Sequence, residues 1–138
     1  MATYIWNDMW TTGIPLMDSQ HKQLFDALNA LLDACSNNRA SEQVDKTLNF
    51  LANYTVKHFG DEERLQIQYG YPDFASHKKL HDNFKKFVSE LAAEIKAEGP
   101  TVPLIAKVNF GVGDWLIQHI YTEDKKIAEY IKSKAKLT

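Results

Sequence analysis

Along four successive stretches of this chain, apolar residues recur in steps of three and four, the spacing that gathers them on one face of an α-helix. The first face reads His21, Leu24, Phe25, Leu28, Leu31, Leu32 and Cys35. The second reads Val44, Leu48, Leu51, Thr55, His58, Glu62 and Leu65. The third reads Phe74, His77, His81, Phe84, Val88, Leu91 and Ile95. The fourth carries Ile105, Val108, Val112, Trp115, Leu116, Ile120, Ile127 and Ile131. The breaks between them are short: Asn37-Asn38-Arg39-Ala40, then Gly70 with Pro72, then Gly99-Pro100. Short connections force neighbouring helices to run antiparallel. The pattern therefore predicts an all-α fold, an up-down-up-down four-helix bundle.

The expected helices cover about 19–36, 41–69, 72–98 and 102–134 of a single domain over residues 1–138, after a non-helical arm at 1–17. Asp18 and Ser41 are the expected N-caps of the first two helices, and Pro72 is expected in the first turn of the third. Tyr4, Trp6 and Trp10 are expected to clamp the arm against the bundle. Gly111 and Gly113 interrupt the fourth pattern, where each weakens a helix by ~1 kcal/mol relative to alanine. Close approach of another backbone is the expected reason.

Composition narrows the partners. A formal net charge of −2 with a pI near 6.2 offers no basic surface for nucleic acid or for an anionic membrane. No stretch is apolar over the length of a membrane span, so no membrane insertion is expected. The first ten residues lack the basic-then-apolar pattern of a signal peptide. The lone Cys35 precludes a disulfide within the chain, fits a reducing compartment, and reads as a small apolar residue near a helix end. The expected location is the cytoplasm.

The informative residues are polar and lie on the apolar faces. All five histidines (His21, His58, His77, His81 and His119) fall on or beside an inward stripe, together with Glu62 and Asp124. One inward imidazole is commonly satisfied by a backbone carbonyl, but seven inward titratable groups need a shared counter-charge. His58 and Glu62 are four residues apart and share a helix face, as do His77 and His81. His119 and Asp124 are five apart, a turn of about 140° on an ideal helix, so either the aspartate reaches sideways or the helix carries a π-bulge. In an antiparallel bundle all seven groups fall at the same end.

Imidazole and carboxylate donors without a thiolate fit two metal ions better than a closed structural zinc site. In an octahedral pair that shares one oxygen bridge, five imidazoles and two bridging carboxylates leave a single vacancy. Such a site suits one small ligand. A histidine-rich set also leaves less negative charge to support high-valent iron than a carboxylate-rich one does, which favours binding over oxidation. Phosphate-binding glycine loops and the GxSxG, HExxH and CxxC motifs are all absent.

The motifs Met17-Asp18-Ser19-Gln20-His21, His58-Phe59-Gly60-Asp61-Glu62, His77-Lys78-Lys79-Leu80-His81 and Trp115-Leu116-Ile117-Gln118-His119 with Asp124 occur in that order. Across nearly its whole length the chain resembles the single-domain bacterial hemerythrins. The resemblance implies two iron ions (Fe2+/Fe3+) bridged by oxo or hydroxo and by the carboxylates of Glu62 and Asp124. His77, His81 and His119 would hold one iron, and His21 and His58 the other, which would carry the vacancy. It further implies reversible binding of molecular oxygen for transport, storage or delivery, in a pocket of Phe59, Trp115, Leu116 and Ile120. No side chain is expected to act as acid or base, so no enzyme activity is expected. An oxygen-consuming enzyme is the natural receiver. The alternatives on the same centre are a di-iron enzyme acting on peroxide or nitric oxide, and an oxygen or iron sensor.

Overall fold

The structure is a computed structural model that describes residues 4–36 and 41–136. Four helices account for most of it: α1 (Pro15–Ser36), α2 (Ser41–Tyr69), α3 (Phe74–Glu98) and a long composite α4. Helix α4 runs through Val102–Lys107, Val108–Asp114, Trp115–His119, Ile120–Asp124 and Lys125–Lys136 without a break. Consecutive helices pack side by side, and α4 closes against both α1 and α3, which gives the up-down-up-down bundle. The break at 37–40 and the side chain of Ser41, the expected second N-cap, lie outside the described residues.

The helix starts differ from the expected ones for identifiable reasons. Helix α1 begins at Pro15, whose fixed φ suits the first helical position. Asp18 is therefore inside the first turn and is not the N-cap. Its carboxylate instead accepts hydrogen bonds from Thr12 N (2.8 Å), Thr12 Oγ1 (2.7 Å) and Gly13 N (3.1 Å), tying the arm to the helix. At the end of α2, Gly70 adopts φ +67. Tyr71 N then donates to Gln66 O (2.9 Å) and Gly70 N to Ile67 O (3.2 Å), the paired bonds of a glycine-terminated helix. That closure uses residue 71, so Pro72 lies in the connecting turn and α3 starts only at Phe74. In the arm, Trp10 is buried and sets its ring edge-on to Phe25, while Tyr4 binds Asn29 and Asp114.

Two stretches of α4, Val108–Asp114 and Ile120–Asp124, are π-helical. The second spans the interval between His119 and Asp124, so the bulge, not a sideways reach, brings that pair together. The first contains Gly111 and Gly113. Neither accommodates a foreign backbone, contrary to expectation. A Cβ on Gly111 would overlap the ring of Phe87, and Gly113 faces the Tyr4 hydroxyl. Overlap of this kind costs about 1–3 kcal/mol, more than the ~1 kcal/mol of helix propensity that alanine returns. Gly111→Ala should therefore lower the melting temperature of the natural chain but raise it in a Phe87→Ala background. Thermal melts of the four chains check this, and a change of the same sign in both backgrounds would remove Phe87 as the cause.

The core divides in two. A large cluster that includes Leu24, Leu28, Leu48, Leu51, Phe59, Phe84, Val112, Leu116 and Ile120 fills most of the bundle. A small one of Tyr71, Ile127 and Ile131 closes its end. Along every helix the seven histidine and carboxylate donors fall between these clusters: after Ile14 on the α1 side, before Leu65 on α2, before Phe84 on α3 and before Ile127 on α4. They form a polar layer with apolar packing above and below. Among the described residues no helix is long and apolar enough to cross a membrane.

Candidate metal centre

Histidines 21, 58, 77, 81 and 119, with Glu62 and Asp124, meet in that layer, and all seven are buried. Every histidine presents Nε2 inward. His77 Nε2 lies 3.0 Å from Glu62 Oε1 and 3.3 Å from Asp124 Oδ1. His81 Nε2 is 3.3 Å from Glu62 Oε1, and His119 Nε2 is 3.2 Å from Asp124 Oδ1. On the other side, His58 Nε2 is 3.0 Å from Glu62 Oε2 and His21 Nε2 is 3.0 Å from Asp124 Oδ2. Each carboxylate thus turns one oxygen to a three-histidine group and the other to a two-histidine group. The donors sort into a set of five (Glu62, His77, His81, His119 and Asp124) and a set of four (His21, His58, Glu62 and Asp124). The carboxylates are the members common to both.

Geometry within the layer fits a metal pair. His58 Nε2, Glu62 Oε2 and Asp124 Oδ1 are buried without a hydrogen bond, although imidazole and carboxylate stand close enough to make one. The Nε2 atoms of His81 and His119 face each other at 3.1 Å. His21 and His77 do reach Asp124 and Glu62 with hydrogen bonds, but the other inward atoms are crowded together and aimed past one another, toward a focus that is not a protein atom. Neutral imidazole and carboxylate donors, with no thiolate, suit a divalent transition-metal ion.

Electrostatics in the metal-free chain follow from the same crowding. Burial is the strongest single influence on the His58 ring and opposes its charge. The neighbouring Glu62 and Asp124 outweigh it, and the ring is pushed up to about 9. His77 is likewise held at about 9, burial being overcome by its contacts with Asp124 and Glu62. His21 is raised in the same way, against burial, by Asp124 and Glu62. Burial also works against the charge of both carboxylates, yet the surrounding imidazoles hold Glu62 and Asp124 well below the usual carboxylate range.

A family model, the hemerythrin HHE cation binding domain, matches residues 12–131. The chain belongs to the hemerythrin family. Among hemerythrin relatives, the bacteriohemerythrin of Stenotrophomonas maltophilia is 33% identical over 96% of this chain and 84% of its own length. That of Methylococcus capsulatus is 35% identical over 91% of this chain and 94% of its own. The myohemerythrin of Sipunculus nudus is 30% identical, covering 89% of each chain. A crystal structure of wild-type hemerythrin superposes with a TM-score of 0.83 at 32% identity, over 94% of this chain and 98% of that one. The two kinds of relative and the superposed structure all carry hemerythrin names.

Outside the seven donors, three residues shape the hemerythrin site that sequence reasoning assigned no role. Glu63 Oε2 lies 2.8 Å from His81 Nδ1. Gln20 Oε1 lies 2.8 Å from His58 Nδ1, and the same amide donates from Nε2 to Asp61 Oδ2 at 2.7 Å. Asp61 in turn pairs with Arg64. The consecutive acids Asp61-Glu62-Glu63 thus serve three directions around α2, about 100° apart. Their run beside His58 was the available signal. Of the four expected pocket residues, Phe59, Leu116 and Ile120 are fully buried and Trp115 is half-buried. Phe59 stacks face to face on His81 with ring centroids 3.7 Å apart, and Trp115 stacks on His119 at 4.6 Å. The aromatic wall lies flat against two imidazoles of the five-donor set.

Proposed function

We propose that this chain binds molecular oxygen reversibly at a pair of iron ions. The carrying observation is the unequal division of a buried donor cluster into sets of five and four that share two carboxylates. His77, His81 and His119 would hold one iron, His21 and His58 the other, and Glu62 and Asp124 would serve both. When bound, a ferrous pair supplies the two electrons that reversible uptake of oxygen requires. The set with fewer protein donors is the one with room for a small ligand. Around the layer, Phe59, Leu116 and Ile120 exclude water. The carboxylates beyond the seven donors, Glu63 and Asp61, are engaged on the outer side of the layer by His81 Nδ1 and by Gln20, away from the inward Nε2 atoms, which supports a binding role over turnover. Delivery of the oxygen to an oxygen-consuming enzyme, within the cytoplasm, completes the reading.

The test is spectroscopic. Chain reconstituted with ferrous iron under nitrogen should be nearly colourless, gain a visible absorption band when oxygen is admitted, and lose it when oxygen is removed, over repeated cycles. Bleaching in one pass with release of hydrogen peroxide would replace this reading with oxidase chemistry. Absence of any band would defeat it.

A further inference from the structure

We propose that Gln20 is a positioning residue that fixes which ring nitrogen of His58 faces the four-donor metal position, with Asp61 fixing Gln20 in turn. The proposal rests on the di-iron reading for its consequence but not for its geometry. Gln20 is buried beside His21 on α1 and touches α2 twice, at His58 and at Asp61. Asp61, paired with Arg64, is a carboxylate that only accepts hydrogen bonds. The amide nitrogen of Gln20 must therefore face Asp61, which leaves its oxygen, an acceptor, against His58 Nδ1. That nitrogen must then carry the proton. Nε2 is left to present its lone pair inward once the ring is neutral.

In each donor set one imidazole is supported at Nδ1 by a side chain outside the seven donors, and the two supports differ. His21, the second imidazole of the four-donor set, has no hydrogen-bond partner at Nδ1. His77 in the five-donor set likewise has none, so among the described residues the Gln20 bond to His58 is the outward support seen in the four-donor set. At the five-donor position His81 is held by a carboxylate, Glu63, directly. A carboxylate draws on Nδ1–H more strongly than an amide and makes its ring the stronger donor. The two positions are therefore oriented by different chemistry. A neutral amide orients His58 without adding charge where the small ligand is to bind.

Two measurements on the full chain test this. Long-range proton–nitrogen spectra of the metal-free, nitrogen-15-labelled protein should show a slowly exchanging His58 Nδ1–H in both charge states of the ring. Gln20→Met, close in shape but without the amide, should lose that protection. Asp61→Asn, at a half-buried position, should lose part of it because the Gln20 amide becomes free to turn over. Anaerobic titration with ferrous iron should then show the second equivalent bound about 10–100-fold more weakly in Gln20→Met, with the first unchanged. Protected Nδ1–H and unaltered affinity for both equivalents in both variants would overturn the proposal. Should the natural chain take up no iron while Gln20→Met still loses the protected proton, the di-iron reading fails and the positioning role stands. If Gln20→Met does not fold, Asp61→Asn carries the same two readouts.

Discussion

Glu62→Gln should cost the chain both metal positions, whereas His21→Asn should cost only one. The difference follows from membership. His21 belongs to the four-donor set alone, while Glu62 belongs to both, with Oε1 toward His77 and His81 and Oε2 toward His58. Glutamine keeps the volume but loses the charge, and its NH2 end offers no lone pair. One position would face a donor of hydrogen bonds where it needs a donor of electrons, and the other would keep only a neutral oxygen. A pair of divalent ions would then sit in a buried layer with Asp124 as the single anionic side chain, an imbalance a protein interior does not tolerate. Anaerobic reconstitution with ferrous iron followed by elemental analysis should rank the chains natural, His21→Asn, Glu62→Gln, with the last near zero. Stability should follow the same order. An ion present at a thousand times its dissociation constant adds about 4 kcal/mol, so losing even one should lower the melting temperature on the order of 10 °C. Natural iron content in Glu62→Gln would remove the carboxylate from its shared role.

The bundle was legible because burial imposes a period. Leu24, Leu28, Leu31 and their counterparts on the other helices repeat at helical spacing, and short breaks dictate antiparallel order. The same logic brought seven donors to one end, because antiparallel helices map the start of α1 and α3 onto the end of α2 and α4. The partners on the outer side of the ring nitrogens were not legible. Gln20 meets His58 across two helices, and Glu63 meets His81 across another two. Such contacts depend on how one helix is rotated and shifted against the next, to within a single residue, and no periodicity encodes that. Helix starts failed for a local reason. Pro15 and Asp18 both favour a helix start, and proline at the first position won, leaving the carboxylate free to hold Thr12 and Gly13. The five-residue step from His119 to Asp124 left a sideways reach and a π-bulge both open, and only the helix itself, π-helical over Ile120–Asp124, decides for the bulge.

The metal-free and iron-loaded chains should respond to pH in opposite directions. Without metal, His58 and His77 are held at about 9, above the ordinary value of 6.5, and His21 is raised as well. A histidine raised in the folded state stabilises it fully below the unfolded value, and that contribution disappears as pH climbs through the folded one. Glu62 and Asp124 are lowered, so their contribution is present above the unfolded carboxylate range and is lost only as pH falls through their depressed values. The metal-free chain should accordingly be most stable between about pH 5 and 6.5 and weaken steadily toward pH 9. Each of the two larger histidine shifts corresponds to ~3 kcal/mol over that interval, and because both rings lean on the same two carboxylates the sum is smaller than twice that. Iron requires the opposite protonation state: every ligating imidazole must be neutral, so uptake releases protons and tightens as pH rises. The loaded chain should hold or gain melting temperature from pH 6 to pH 9 while the metal-free chain loses it, and the gap between them should widen. Melting curves of both forms across that range decide the matter. A metal-free chain whose stability is flat or rises toward pH 9 would mean that the inward imidazoles are not charged beside Glu62 and Asp124.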